Sequence, residues 1–202
     1  FSTKLEDDLQ RRDFTMNAIA ISLSKGSIKD VVDLYEGLKD IKDKVIRTVG
    51  KPQDRFSEDA LRIVRAARLA TELGFTIHND TEKAIQSHSP LLSKISTERI
   101  RDEFVKVVMS NSPKAGLELM DKLGILGVFL PEVVAAKGVE QNQAHAYDVY
   151  EHLLRSLQHA ADKEWPLEIR ITALFHDIAK PETKRFSRET NQITFYGHEV
   201  VG

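Results

Sequence analysis

Asp59 and Arg62 stand three residues apart in the run EDALRIVRAARLA, which begins at Glu58. On a helix that spacing sets both side chains on one face. An ionised aspartate only accepts hydrogen bonds and an arginine only donates them, so the pair complements a flat edge offering an amino group beside a ring-nitrogen acceptor. Cytosine and adenine present that edge. Guanine and uracil present a carbonyl beside a ring N–H, and would meet acceptor with acceptor and donor with donor. Arg65 and Arg68 continue the rhythm; at roughly 100° per residue the three arginines span an arc of about 120°, suited to phosphate oxygens. Ala60, Ile63, Val64, Ala67 and Ala70 fall opposite and read as the packed face. A salt-bridged surface helix would explain the charged face taken alone.

Two further groups carry chemistry. Arg11, Arg12, Asp13 and Asn17 lie in RRDFTMN, just before a predicted strand. Arginine forks suit phosphate oxygens, and Asp and Asn suit sugar hydroxyls. A solvated turn accounts for one arginine but not for all four polar residues. His176 and Asp177 follow the apolar run from Ile171 to Phe175, and His152 lies upstream on a separate predicted helix. Two imidazoles and a carboxylate on neighbouring helices can hold Ni²⁺, Mn²⁺ or Mg²⁺. A lone histidine on an apolar helix is more often a core residue than a ligand, so His88 and His159 are left unassigned.

The elements that must position these groups change character along the chain. Asn17–Leu23 and Ile28–Leu34 read as a β-hairpin about the Lys25-Gly26 turn, and Val45–Val49 as a third extended run ending at Gly50-Lys51-Pro52. Helical periodicity follows. Ser57 is expected to cap a helix from Glu58 to Leu73 that Gly74 ends, and Asn79 with Glu82 to form a capping box. Further helices are expected from Ser96 to about Ser110 and from Lys114 to Leu123, with Pro131 closing the segment after them. Ala135–Ala144 reads as a linker. Tyr147–Ala160 and Leu167–Ala179 read as helices, and Ile193–Tyr196 as a short extended run. The fold class expected is mainly α with a small β portion.

Bulk properties bound the function. The 202 residues, 41% hydrophobic and 30% charged, suffice for a sizeable core in one domain or two. A net charge of −2 excludes a uniformly basic nucleic-acid coat, so any polyanion site must be local. The absence of cysteine removes disulfides, thiolate chemistry and zinc knuckles. No apolar run is long enough to span a bilayer, and a cytoplasmic protein without a membrane partner is expected. The start at Phe1 and the stop at Gly202 after an apolar run read as two cut ends.

RRDFTMNA, then DLYEGLKD from Asp33 with Val45-Ile46-Arg47, then EDALRIVRAARLA resemble, in order and spacing, the class II tRNA nucleotidyltransferase (CCA-adding) and bacterial poly(A) polymerase family. The resemblance implies nucleotide binding by Arg11, Arg12, Asp13 and Asn17. It implies coupling of head to neck by Asp33–Asp40, and a protein template for CTP and ATP at Asp59 and Arg62, with Arg65 and Arg68 beside it. Helices from about 75 to 135 would hold the tRNA acceptor end, and Mg²⁺ would serve nucleotidyl transfer. HDIAKPETK, with His152 before it and Gly197-His198-Glu199 after, resembles HD-domain phosphohydrolases and implies a divalent cation at His152, His176 and Asp177. Three segments follow: 1–50 from a nucleotidyltransferase head, the remnant of a palm sheet; 51–139 as helical neck and body; 140–202 as the start of an HD domain.

Two departures stand out. The family has paired glycines where this chain has Glu36-Gly37. Its glycine-rich segment and metal-binding aspartates belong upstream of RRDFT, nothing before Arg11 matches them, and no catalytic residue is assigned. Asp7 and Asp8 would point to opposite faces of a strand. By itself the chain is not expected to polymerise. Alternatives are a poly(A) polymerase of the same superfamily, a stand-alone HD phosphohydrolase with a nucleotide-binding N-terminal part, and a silent RNA-binding module.

Overall fold

A computed structural model describes residues 4–24, 27–141, 147–188 and 192–202. It is mostly helical with small sheets, as expected. The chain divides into two compact units, Phe1–Ile100 and Arg101–Gly202.

The first unit opens with α1 (Leu5–Gln10) and a single 3₁₀ turn, Thr15–Asn17, that leads into the antiparallel pair β1 (Ile19–Ser24) and β2 (Ser27–Asp33). Alternation thus predicts the hairpin within two residues; its Lys25-Gly26 turn lies outside the described residues. One face of the hairpin closes over Leu9, Ala18 and Val49 through Ala20 and Val32, joined by Tyr35 just beyond β2. α2 (Gly37–Asp43) follows, seated by the Asp33 carboxylate, which accepts from the Gly37 and Leu38 N–H groups at 2.7 and 2.9 Å. A Cβ on Gly37 would lie 2.2 Å from the Thr15 carbonyl oxygen, so only glycine fits there. Glu36 adopts φ 58, ψ 32, the left-handed region, at the position where the related pattern has its first glycine.

β3 (Val45–Ile46) is shorter than the expected run Val45–Val49, because beyond it only Thr48 bridges, to Phe14. β3 pairs in parallel with β4 (Thr76–Ile77), and the connection carries α3 (Pro52–Glu58) and α4 (Leu61–Leu73). The single helix expected over Glu58–Leu73 is therefore two. Pro52 at N1 starts the first. The chain breaks at Asp59, whose φ −152, ψ 103 is extended, and Gly74 ends the second in the left-handed region as predicted. Ile63, Val64, Ala66, Ala67 and Ala70 form the packed face of α4 with Phe14, Ile46, Phe56 and Ile85 in the same core. α5 (Asn79–His88) is capped one residue earlier than expected: His78 leaves β4 still extended and its Nδ1 accepts from the Asp80 N–H at 3.3 Å.

α6 (Thr97–Met109) begins after Ser96 as expected, and the division between the units falls within it. The second unit continues with α7 (Pro113–Lys122) and α8 (Leu126–Phe129); Pro131 then opens α9 (Pro131–Ala135) as its N1 residue as well as closing what precedes it. The expected linker is not loose over its described part: Ala136 and Gln141 are buried, and Val139 and Ala136 carbonyls accept from Val149 and Tyr150. Residues 142–146 lie outside the described residues. α10 (Val149–Asp162) is capped by Asp148, whose carboxylate accepts from the Glu151 N–H at 2.8 Å. α11 (Leu167–Phe175) stops four residues short of the expected end, and α12 (Lys180–Thr183), the hairpin β5 (Arg185–Ser187) and β6 (Gln192–Thr194), and α13 (His198–Val201) complete the unit. Leu117, Met120, Leu123, Leu126, Leu153, Leu157 and Leu174 make its core.

Candidate functional site

Backbone pairing brings the RRDFT segment to α4. The Thr15 N–H donates to the Arg47 carbonyl at 2.9 Å and the Val49 N–H to the Asp13 carbonyl at 3.1 Å, which pins Asp13–Thr15 alongside the chain leaving β3. A cleft of about 310 Å³ results, lined by Arg11, Arg12, Asp13, Asp59, Leu61, Arg62, Arg65 and Arg99. Five arginines face two aspartates in that lining, so the local field favours an anion although the whole chain is acidic.

The side chains are locked by long-range contacts. Asp13 is buried; its Oδ1 accepts from the Phe14 N–H at 2.9 Å and Asn17 Nδ2 at 3.0 Å, and its Oδ2 accepts from Arg65 Nε and Nη2 at 2.9 and 2.7 Å. Burial opposes its charge, but the bonds from Asn17 and Arg65 hold the carboxyl below its ordinary value of 3.8. Asp59 stands one residue before the Ala60 N-cap of α4: its Oδ1 accepts from the Leu61 N–H at 3.1 Å, while its Oδ2 accepts from Arg99 Nη2 at 2.8 Å. Arg62 donates to Glu58 Oε2 and the Arg11 carbonyl, each at 2.9 Å, and to the Arg55 carbonyl at 3.3 Å. Asp59 and Arg62 therefore share the cleft, but from a helix break and a helix rather than from one helix face. Arg68 pairs with Glu72 and is not among the lining residues.

Arg11 and Arg12 both converge on Asp8, at 2.6 and 2.7 Å. Asp7 and Asp8 lie on a helix, not a strand, and Asp8 at i−3 and i−4 gathers both guanidiniums. That spacing was visible in the sequence. Arg99, forty residues from Asp59, had no local signal. Buried Asp40 accepts from Thr15 Oγ1 at 2.7 Å and Arg47 Nε at 3.0 Å, tying α2 to the 3₁₀ turn after Asp13 and to the chain leaving β3.

The second unit holds the other predicted group. His152 from α10 and His176 and Asp177 from the end of α11 converge, with donor atoms all within 4.8 Å of one another. The two Nε2 atoms are 3.0 Å apart, and Asp177 Oδ2 lies 3.3 Å from His152 Nε2 and 3.2 Å from His176 Nε2. Lys180 Nζ approaches the same oxygen at 2.6 Å, and His198 Nε2 approaches Oδ1 at 3.3 Å. The hydrogen bond with Asp177 raises the His176 pKa against its partial burial; burial of Asp177 is in turn outweighed by His176 and Lys180, which hold its carboxyl far below the ordinary range. Buried Arg170 fixes α11 by donating to the carbonyls of Trp165, Val108 and Ser110 at 2.9, 3.0 and 2.9 Å. Two imidazoles and a carboxylate suit a divalent transition ion, and Lys180 is the resident competitor for the shared oxygen. His198 is the residue added to the predicted trio. Of the two histidines left unassigned, His88 lies against Phe56 and His159 against Trp165, with ring centroids 6.4 and 5.8 Å apart.

Comparison with known proteins separates the chain into recognisable stretches. A family model described as the poly A polymerase head domain matches residues 1–47, and one described as "Probable RNA and SrmB- binding site of polymerase A" matches residues 74–137. A CC-adding tRNA nucleotidyltransferase of Thermus thermophilus is 35% identical over 98% of this chain and 46% of its own. An A-adding tRNA nucleotidyltransferase of Deinococcus radiodurans is 37% identical over the same shares, 98% and 46%. Among solved structures, the Bacillus stearothermophilus CCA-adding enzyme in complex with CTP is similar at a TM-score of 0.61 and 32% identity, over 94% of this chain and 51% of that one. The chain thus spans about half the length of the relatives it matches.

Proposed function

The chain belongs to the class II tRNA nucleotidyltransferase and poly(A) polymerase family, and from that premise we propose that it carries the nucleotide-selecting cleft of an enzyme that adds C and A from CTP and ATP to tRNA 3′ ends. The supporting observation is the single cleft that gathers Arg11, Arg12, Asp13, Asp59, Arg62 and Arg65. In this reading Asp59 accepts from the amino group of C or A and Arg62 donates to the neighbouring ring nitrogen, each exchanging a present partner for the base. Arg11 and Arg12 take triphosphate oxygens, and Asp13, with Asn17, positions Arg65 toward them. Arg68, paired with Glu72, supports the same helix from one turn further on.

Nucleotidyl transfer in this family uses a divalent metal; Mg²⁺ is the ion proposed here, and its chemistry when bound is to neutralise triphosphate charge and activate the primer hydroxyl. The segments proposed are a head portion over 1–50, a neck and body over 51–139 that holds the tRNA acceptor end, and an HD-like portion over 140–202. No helix of the described residues is long and apolar enough to cross a membrane, and a cytoplasmic location is part of this proposal.

The test is incorporation: a longer protein containing this chain, given tRNA lacking its terminal CCA and each NTP in turn, should use CTP and ATP and leave GTP and UTP. Long A-tracts without any use of CTP would favour the poly(A) polymerase reading instead. A second activity is favoured by the converging His152, His176 and Asp177: a site for Ni²⁺, Mn²⁺ or Mg²⁺ serving phosphate-ester hydrolysis at nucleotide or RNA ends. Calorimetric titration with Mn²⁺ should show one site that His152→Ala removes; unchanged binding in that variant would end this reading.

A further inference from the structure

The faces of α10 and α11 that meet at the His–Asp cluster continue beyond it. His152, Arg155, Ser156 and His159 recur at i, i+3, i+4 and i+7 on one helix, and Ile169, Thr172, Ala173 and His176 do the same on the other. Each set is one helical face. Arg155, Ser156 and His159 of the first face, all four residues of the second, and Trp165 line an open groove of about 490 Å³, within the range of small-molecule sites. At one end the lining reaches the cluster through His176, whose Nε2 lies 3.0 Å from that of His152. The other end is aromatic: Trp165 and His159 meet edge to face at 5.8 Å, 84° between planes. Trp165 and Ile169 are 43% and 44% exposed, which leaves apolar surface facing solvent. At 1.5 Å per residue, the seven residues from His152 to His159 give a groove about 10 Å long, enough for a ribose and one base.

We propose that this groove is a nucleobase subsite: a nucleoside phosphate lies along it with its phosphate at the His152–His176–Asp177 end and its base against Trp165. The proposal rests on the reading of that cluster as a phosphate-handling cation site. The division of labour follows from the chemistry of the two ends. Imidazoles, the Lys180 ammonium and a divalent ion attract an anion, whereas an indole and a tolerant apolar wall take a flat ring without reading its edge. The cleft of the first unit works the other way, with charged groups facing the base edge. The groove is thus suited to accept any base, and its partner is a nucleotide or an RNA terminus recognised by its phosphate.

Trp165 is the single tryptophan of the chain, so its emission reports this groove alone. The 202-residue protein is titrated with AMP in Mg²⁺, exciting at the red edge of the indole band, with ribose 5-phosphate as the probe lacking a base. The expected result is saturable quenching by AMP, with ribose 5-phosphate weaker by about tenfold or more. Ala173→Leu, which fills the groove and leaves every side chain of the cluster unchanged, should abolish the AMP response; Thr172→Leu serves if that variant does not fold. Asp59→Ala should leave it unchanged. Equal responses to the two ligands, or none to AMP, overturn the subsite. Calorimetry with Mg²⁺ and Mn²⁺ separates the two readings. A bound cation with no AMP response sinks the groove and spares the cluster, while an AMP response without cation binding keeps the groove and removes the cluster's metal role.

Discussion

The two charged sites of this chain are assembled in opposite ways. The cleft of the first unit is stitched by contacts between distant residues: Asp13 with Arg65 across 52 positions, Asp59 with Arg99 across 40, Arg62 with the Arg11 carbonyl across 51. The cluster of the second unit is dense and largely local, with His176, Asp177 and Lys180 in one turn and His152 supplied by the neighbouring helix. In the cleft every arginine already holds a carboxylate or a carbonyl, so a ligand must exchange partners. In the cluster four cationic or titratable groups crowd one carboxylate. The difference teaches that a ligand of the cleft must enter an exchangeable network, whereas the cluster depends on one helix end and its neighbour.

Arg170→Met bears hardest on that contrast. It leaves three carbonyls of a buried site without their donor, and the expected loss is about 3 kcal/mol in the second unit, read by urea denaturation. If the cluster is rigid because α11 is anchored there, Mn²⁺ affinity falls with stability; unchanged stability would show that the anchor is dispensable. Asp13→Asn strikes the cleft network and should cost about 2 kcal/mol through the weakened Arg65 pair. The folded-state pKa of Asp13 is depressed, so its contribution is full above the ordinary value of 3.8 and is lost as pH falls through the folded value. The wild type should therefore lose stability on the acid side through this group and Asp13→Asn should not; parallel acid profiles would show the pair to be silent.

Glu36→Gly removes a side chain from the left-handed region, worth about 1–2 kcal/mol, against an entropy cost of about 0.5–1. A net gain of up to about 1.5 kcal/mol in melting experiments is expected. Smallest in stability is Arg99→Ala, below about 1 kcal/mol because Arg99 is half exposed. Its effect should appear in nucleotide preference, since Asp59 loses the donor that orients it. Preference unchanged in that variant would make Arg99 a bystander.

The same contrast explains what the sequence disclosed. Local signals were readable: alternation for the hairpin, Gly74 for the end of α4, and the contiguous His176-Asp177, with His152 upstream on a separate helix. The break at Asp59 was not, because the apolar period runs unbroken through EDALRIV while the extended conformation is fixed by the Leu61 N–H and by Arg99. Pro52 at N1 was the available hint of a separate α3. Asp8 was legible by its spacing to Arg11 and Arg12 once the segment is taken as helix. The Asp13–Arg65 pair follows only from the register of Phe14 against Thr48, which tertiary packing sets.

The central claim is that Asp59 and Arg62, though set on a break and a helix, act together as a filter for C and A. The direct measurement is calorimetric binding of CTP, ATP, GTP and UTP to the 202-residue chain and to Asp59→Ala. CTP and ATP should bind the wild type at least about tenfold more tightly than GTP and UTP, a difference of about 1.4 kcal/mol, and the variant should bind all four alike. Equal binding of the four by the wild type, or a preference that survives in Asp59→Ala, would contradict it.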